Sequence, residues 1–473
     1  MRLNPTWLVA LLALVAYTAG LHWIYISLHV YGLMPAWLSA LATVLLAAYV
    51  SAYAVGGFAA CRWLRLDGRH YATPFIIAAV LAAAEWLRGT IFTGFPWLAI
   101  GYFGIDTPFS GYAPLFGVYG VGFVMLACLI LVYQCLKFRS WWSFAALVIL
   151  VAAGWILQLQ SFTTPGGRPL RVALVQGAIP QSMKFDPARE AQAITTQIEL
   201  ARTAAVPGGP QLIVFPETAL VRPWDLTTIE TRERFRQLTQ QSGATVMLGL
   251  PLRDPDGYRN SLIAIDEQSP VGQFSARYDK HHLVPFGEFI PFGFRWFVDQ
   301  MQMPLGDFQR GAPTQSPISV RDQRIGVNIC FEDLFGEEII RSLSPNRAPD
   351  QQPTILLNIS NLAWFGNTIA LDQHLTIARM RSIETGRPSI RATNTGATVA
   401  IDHRGRVIER LPFGEPGLLI AQVQGMQGNT PYSRWGNWIV LTLSWLLIGL
   451  AVIRRRNAGS HRPHDPKKFA PPA

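Results

Sequence analysis

The order of apolar and polar positions divides this chain into two kinds of sequence. Long apolar runs lie near residues 7–29, 37–60, 74–92, 115–136, 142–159 and 435–453, each close to the roughly 20 residues that a bilayer core requires of a helix. They predict six transmembrane helices, five before the middle of the chain and one after it. The middle has short β-rich runs instead, at 170–179, 211–215, 245–252, 261–265, 324–330, 354–359, 389–393, 398–401 and 418–423. Helical stretches separate several of them. Asp186-Pro187 opens one that extends to about Ala205, and another over 226–241 stops at Gly243, where a helix terminates readily. Alternating strands and helices predict a layered α/β domain over 163–433, set between a helical membrane domain (1–162) and a closing membrane helix (434–456). The Pro-rich basic tail, 457–473, has the composition of a disordered segment.

Half of the 473 residues are hydrophobic and 15% are charged, too apolar for an ordinary soluble protein. The formal net charge of +10 changes the picture only through its distribution. Residues 1–160 carry seven Lys/Arg against three Asp/Glu, 161–453 carry 27 against 26, and 454–473 carry six against one. A nucleic-acid binder would concentrate basic residues on its globular domain, which here is nearly neutral, so no nucleic-acid partner is expected. Arg2, Arg62/Arg65/Arg69, Lys137/Arg139 and Arg454/Arg455/Arg456 all fall on one side if the helices alternate. The positive-inside rule then makes that side cytoplasmic and the large domain periplasmic, in a bacterial inner membrane. Residues 1–19 also have the form of a signal peptide, but apolar sequence continuing through Ile26 favours a retained helix.

Candidate chemistry sits at strand ends, where α/β domains place reactive groups. Glu217 closes the 212–216 run, Lys280 follows 274–278, and Cys330 closes 325–329. Cys61, Cys128 and Cys135 lie in or beside apolar runs, so Cys330 is the one thiol of the middle region. A lone cysteine is more often core than nucleophile, and a Glu after Pro or a Lys beside Asp is usually solvated. Together the three make a chemical unit: a carboxylate to take the thiol proton, and an ammonium to stabilise thiolate and oxyanion. No metal-spaced His/Cys cluster and no phosphate-binding glycine loop is present, so neither metal nor cofactor is expected.

The strings around these residues resemble the nitrilase superfamily and, more closely, its apolipoprotein N-acyltransferase branch. Phe215-Pro216-Glu217 is similar to the nitrilase glutamate motif, and Tyr278-Asp279-Lys280-His281-His282-Leu283-Val284-Pro285-Phe286-Gly287-Glu288 to the acyltransferase lysine motif. Cys330-Phe331-Glu332 stands in the place of the cysteine motif. Further similar strings are Ser360-Asn361-Leu362-Ala363-Trp364-Phe365-Gly366, Arg391-Ala392-Thr393-Asn394-Thr395-Gly396, Trp23-Ile24-Tyr25-Ile26-Ser27, Glu85-Trp86-Leu87-Arg88-Gly89 and Thr93-Gly94-Phe95-Pro96-Trp97.

The resemblance implies an αββα sandwich seated on membrane helices, with Glu217 as base, Cys330 as nucleophile, and Lys280 with the Phe331 N–H as oxyanion hole. Glu288, Glu332 and Asn260 would support them. It implies ping-pong transfer of an acyl chain from a phospholipid donor to a diacylated apolipoprotein acceptor, by a protein expected to be monomeric. Phe185, Trp364, Phe365, Phe286 and Phe289 are candidate lipid-binding residues, as are Glu85 and Arg88, which could alternatively form a structural ion pair. Aromatic residues over 285–303 suit the membrane interface, or equally a core. The chain departs from the family in three ways: two membrane helices expected ahead of Trp23 have no counterpart, Phe185 and Phe331 stand where Trp and Tyr are usual, and Leu362 replaces an Asp. Two other readings remain: a membrane-anchored amidase using the same thioester, and a catalytically silent lipid-binding protein.

Overall fold

The computed structural model describes residues 4–184, 186–295 and 307–460. Apolar sequence forms helices α1 (Pro5–Gly20), α2 (Ala36–Leu64), α3 (Thr73–Arg88), α4 (Ala113–Phe138) and α5 (Trp141–Leu159). α1 continues, bent by 50°, into Trp23–Tyr31. Among the described residues four helices are long and apolar enough to cross a membrane, and five if the bent pair is one span.

The third expected span is the exception. α3 has 16 residues, about 24 Å at the α-helical rise, which is short of a bilayer core of roughly 30 Å. It ends because the chain turns back: Phe92, Thr93 and Gly94 all take positive φ, and the Phe95 N–H returns to the Arg88 carbonyl at 2.9 Å. A Cβ on Gly94 would lie 2.0 Å from the Gly89 oxygen, so only glycine permits this reversal.

The domain that follows has two six-stranded sheets. Its strands are β1 (Leu170–Gln176), β2 (Leu212–Val214), β3 (Thr245–Asp254), β4 (Gly257–Ile265), β5 (Ala276–Asp279), β6 (Ile318–Val320), β7 (Gln323–Ile329), β8 (Ile355–Ser360), β9 (Ser389–Thr393), β10 (Val399–Ile401), β11 (Val407–Arg410) and β12 (Gly417–Val423). The first sheet runs β12-β1-β2-β3-β4-β5 and the second β11-β10-β9-β8-β7-β6. Their inner faces meet in one apolar core, with Val172, Leu174 and Val214 from one and Ile329, Leu357 and Ala392 from the other. Helices α6 (Pro187–Arg202) and α7 (Ile229–Ser242) cover the outside of the first sheet through Ile198, Phe235 and Leu238.

Helix α8 (Ala370–Thr385) covers the second sheet and also rests on the membrane helices. Its Ile377, Met380 and Ile383 share a core with Tyr102, Val121 and Val124. The layers are therefore α, β, β, α, as the resemblance implies, and the last α layer is the seat on the membrane part. Helix α9 (Trp438–Ser460) packs back against α3.

Candidate active site

The three strand ends converge at the top of the two sheets. Glu217 lies just beyond β2, at a turn where Thr218 adopts φ 53°, and Lys280 directly follows β5. Cys330 directly follows β7 in the other sheet and itself takes φ 54°. A non-glycine residue held in this left-handed region is costly, and such strain concentrates at functional sites. Here the residue so held is the half-buried Cys330.

Lys280 Nζ lies 2.9 Å from Glu288 Oε1 and 3.4 Å from Glu217 Oε1. The Asn260 amide, one strand over, donates to both carboxylates, at 2.8 Å to Glu217 and 2.6 Å to Glu288. The second oxygen of Glu217 accepts the Asn361 backbone N–H at 2.9 Å, and that of Glu288 accepts the Val284 N–H at 2.8 Å. Glu217 and Lys280 are both buried, so these bonds carry what solvent would otherwise supply.

The charges of the site set its protonation. Burial acts to raise the Glu217 pKa, but the Lys280 ammonium, the Asn260 amide and the Asn361 N–H outweigh it and hold the carboxyl below its ordinary value. Burial likewise opposes the charge on Lys280, and Glu288 and Glu217 more than offset it. Burial pushes the Cys330 thiol up to about 12; the Glu217 charge adds to the rise and Lys280 opposes it. The resting site thus holds a carboxylate, an ammonium and a protonated thiol.

Glu332 fastens the cysteine end to the lysine loop. One of its oxygens accepts the N–H groups of His281 (2.7 Å) and His282 (3.1 Å). The other accepts the Ile329 N–H (2.7 Å) and the Tyr278 hydroxyl (2.9 Å). The neighbouring Phe331 ring packs on Phe335, with centroids 5.3 Å apart, and belongs to the core shared with the membrane helices.

Several partners carry no sequence mark of their own role. The Asn361 contact to Glu217 is made by a backbone N–H. Lys184, buried, donates to the Glu217 carbonyl at 3.2 Å, and burial lowers its pKa to about 7. Arg391 pairs with Asp333 and His374 in a buried chain. Arg391 and Asn361 fall inside strings already singled out, whereas nothing in the sequence points to Lys184 or His374.

The lipid-binding candidates fall into separate groups. Phe365 packs on Trp23 at 4.4 Å and on Trp97 at 6.1 Å, and Trp364 meets Tyr31 edge-on at 6.1 Å. Gln373 of α8 accepts from both indole N–H groups, of Trp23 at 3.1 Å and Trp97 at 2.7 Å. Three of the quoted strings thus meet in one aromatic cluster between the membrane helices and the site.

Phe286 packs beside Met34 and Leu38 of the membrane part, Phe289 lies under Arg310 at 5.0 Å, and Phe292 is fully exposed. Phe185, Trp296, Phe297, Met301 and Met303 lie outside the described residues. Glu85 and Arg88 form an ion pair, at 3.4 Å. Both are buried, and their other bonds go to the Ile100 N–H (2.9 Å) and the Trp97 carbonyl (2.6 Å) of the reversing segment. Leu362, also buried, packs against Gly396.

Comparison with known proteins agrees with this architecture in both halves of the chain. Residues 171–432 match the model of the carbon-nitrogen hydrolase family, and residues 2–131 that of the apolipoprotein N-acyltransferase N-terminal domain. The apolipoprotein N-acyltransferase of Ralstonia nicotianae is 45% identical over 94% of this chain and 84% of its own length. That of Bordetella bronchiseptica is 43% identical over 96% and 88%. The solved structure of a carbon-nitrogen hydrolase superfamily protein from Xanthomonas campestris aligns with 55% of this chain and 91% of its own, at 19% identity and a TM-score of 0.41. With a matching family model in each half and relatives 43–45% identical over most of their length, this chain belongs to the apolipoprotein N-acyltransferase family.

Proposed function

We propose that this membrane acyltransferase moves a fatty-acyl chain from a phospholipid to the free α-amino group of a diacylglyceryl-cysteine at the N-terminus of a lipoprotein, through a thioester on Cys330. The observation that carries the reading is the convergence of the Glu217 carboxylate, the Lys280 ammonium and the strained Cys330 at one place. Glu217 takes the thiol proton as sulfur attacks the ester carbonyl, and Lys280 with the Phe331 N–H stabilises the oxyanion. Because the thiol sits near 12 and the carboxyl is low, proton transfer is uphill in the resting enzyme and proceeds together with S–C bond formation. Glu217 then protonates the departing lysophospholipid oxygen. In the second half, the amine attacks the thioester, gives a proton to Glu217, and Cys330 leaves as thiolate and recovers that proton. Glu332 and Asn260 position the machinery without entering the chemistry.

The setting fits the substrates. Both keep acyl chains in the bilayer, and extracting each methylene into water would cost about 0.8 kcal/mol. Phe286 beside Met34, with the exposed Phe292 nearby, suits a loop lying at the membrane surface. With α3 and the reversing segment after it taken together as one crossing, the positive-inside pattern supports a cytoplasmic N-terminus, a periplasmic catalytic domain and residence in the bacterial inner membrane. The test is an assay of lysophospholipid release and of acylation of a diacylated lipopeptide by the wild type and Cys330→Ala. The wild type performs both and forms a Cys330 thioester visible in its intact mass; the variant does neither. Ammonia release from an amide without lipid turnover would overturn the proposal.

A further inference from the structure

A second feature of the molecule lies away from the catalytic residues, at the junction of the domain and the membrane part. An open cleft of about 260 Å³ lies between the far end of α5, the segment from Ile105 to Pro114, and the turn from Asp402 to Arg406 that joins β10 to β11. None of Glu217, Lys280 and Cys330 lines it. Arg379, His403, Arg404 and Arg406 do.

The acids nearby are already engaged. Asp106 is paired with Arg379, whose Nε also donates to the Gly405 carbonyl at 2.8 Å. Asp402 accepts the backbone N–H groups of Arg404 (2.8 Å) and Arg406 (2.9 Å), which shapes the turn. Among the described residues neither the Arg404 nor the Arg406 guanidinium has a carboxylate partner, and both side chains are exposed. Arg404 instead reaches the Gln158 carbonyl at the last turn of α5, at 3.4 Å.

The other wall of the cleft is a membrane helix. α5 is apolar enough to cross a bilayer and only 11% of the residues in its apolar window are buried, so lipid meets the face turned away from α4. Trp155, one turn before its end, lines the cleft and is 59% exposed, in the position where indoles favour the headgroup level. Two uncompensated guanidinium groups therefore stand at the height of the lipid phosphates, beside a surface that acyl chains cover.

We infer that this cleft binds the headgroup of an anionic phospholipid, its phosphodiester held by Arg404 and Arg406 and its chains lying along α5 past Trp155. The bound lipid is structural: it seats the domain on the bilayer through the turn after β10 and is not the acyl donor.

The test uses the full chain reconstituted with a mixture of phosphatidylglycerol and phosphatidylcholine, with the lipids it retains counted by native mass spectrometry. The wild type retains phosphatidylglycerol in preference. Each arginine near an anionic surface is worth roughly a fivefold factor, so the double variant Arg404→Gln/Arg406→Gln retains it about 25-fold less. The charge-conserving pair Arg404→Lys/Arg406→Lys keeps the preference, which separates lost charge from lost folding. Equal retention by the wild type and the glutamine variant, or no preference over phosphatidylcholine, would overturn the inference. So would displacement of the lipid by inorganic phosphate, which would make this a site for a soluble anion.

Discussion

Cys330 and Glu217 oppose each other in a way that a single pair of measurements can expose. The Glu217 charge is one of the causes that hold the Cys330 thiol near 12, after burial. Glu217→Gln removes that charge while Lys280 stays, so the thiol pKa falls and alkylation of Cys330 at a fixed neutral pH becomes faster. In the proposed mechanism the same substitution removes the proton acceptor, and acyl transfer should drop by about 10²–10⁴-fold, the usual contribution of a general base. Alkylation rate against pH, measured beside lysophospholipid release, checks both directions. A variant whose thiol titrates unchanged while turnover falls would mean that Glu217 does not face the sulfur. All three residues of this unit were legible in the sequence, since each stands at a strand end inside a distinctive string. The Asn361 N–H and Lys184, which hold Glu217 from behind, were not: a backbone donor leaves no trace in residue identity, and a buried lysine looks like any other lysine until its surroundings are known.

The candidate active site is assembled by joining the ends of β5 and β7, and Glu332 is the joint. All four of its bonds are accepted, two on each oxygen, three from backbone N–H groups and one from Tyr278. Glu332→Gln puts an NH₂ where an acceptor is required, facing N–H donors whichever way the amide turns. Leaving buried groups unsatisfied in this way costs about 1–3 kcal/mol, read as a lowered melting temperature, and Lys280 shifts relative to Cys330, so kcat falls more than KM rises.

Elements differ in how plainly the sequence announces them. The interior strands are apolar on a buried background and were found with ends displaced by only a few residues. The outer strands of the second sheet, β6 and β11, are short, and β11 is exposed throughout, so neither has an apolar run to mark it. α8 was missed for the opposite reason. Residues on every side of it are buried, from Leu371 and His374 to Arg381 and Glu384, because a sheet covers one face and the membrane helices another. The solvated face that remains is narrow, reduced to Asp372, Thr376 and Arg379, so the polar stripe that would give the helical period is weak. The early end of α3 depends on φ values at 92–94 and on an ion pair turned inward, neither of which hydropathy records.

At the scale of the whole molecule, α8 makes the membrane part and the domain one structure. Its Gln373 holds Trp23 and Trp97, its Arg379 holds Asp106, and its Glu384 accepts the Val118 N–H of α4 at 2.6 Å while pairing with Arg381. Glu384 has no exposed surface, and burial, only partly countered by Arg381, raises its pKa from the ordinary 4.5 to about 7. The sign of the consequence follows from linkage. Between these two values the folded chain keeps a proton that the unfolded chain has lost, so the contribution of Glu384 to stability falls as pH rises from 4.5 to about 7 and is constant above that. Glu384→Gln cannot titrate. The melting temperature of the full chain, minus that of this variant, should therefore decline from pH 5 to pH 7 and level off beyond. A difference that stays flat through this window would mean that Glu384 carries its charge throughout, and that the junction is held as a permanent ion pair.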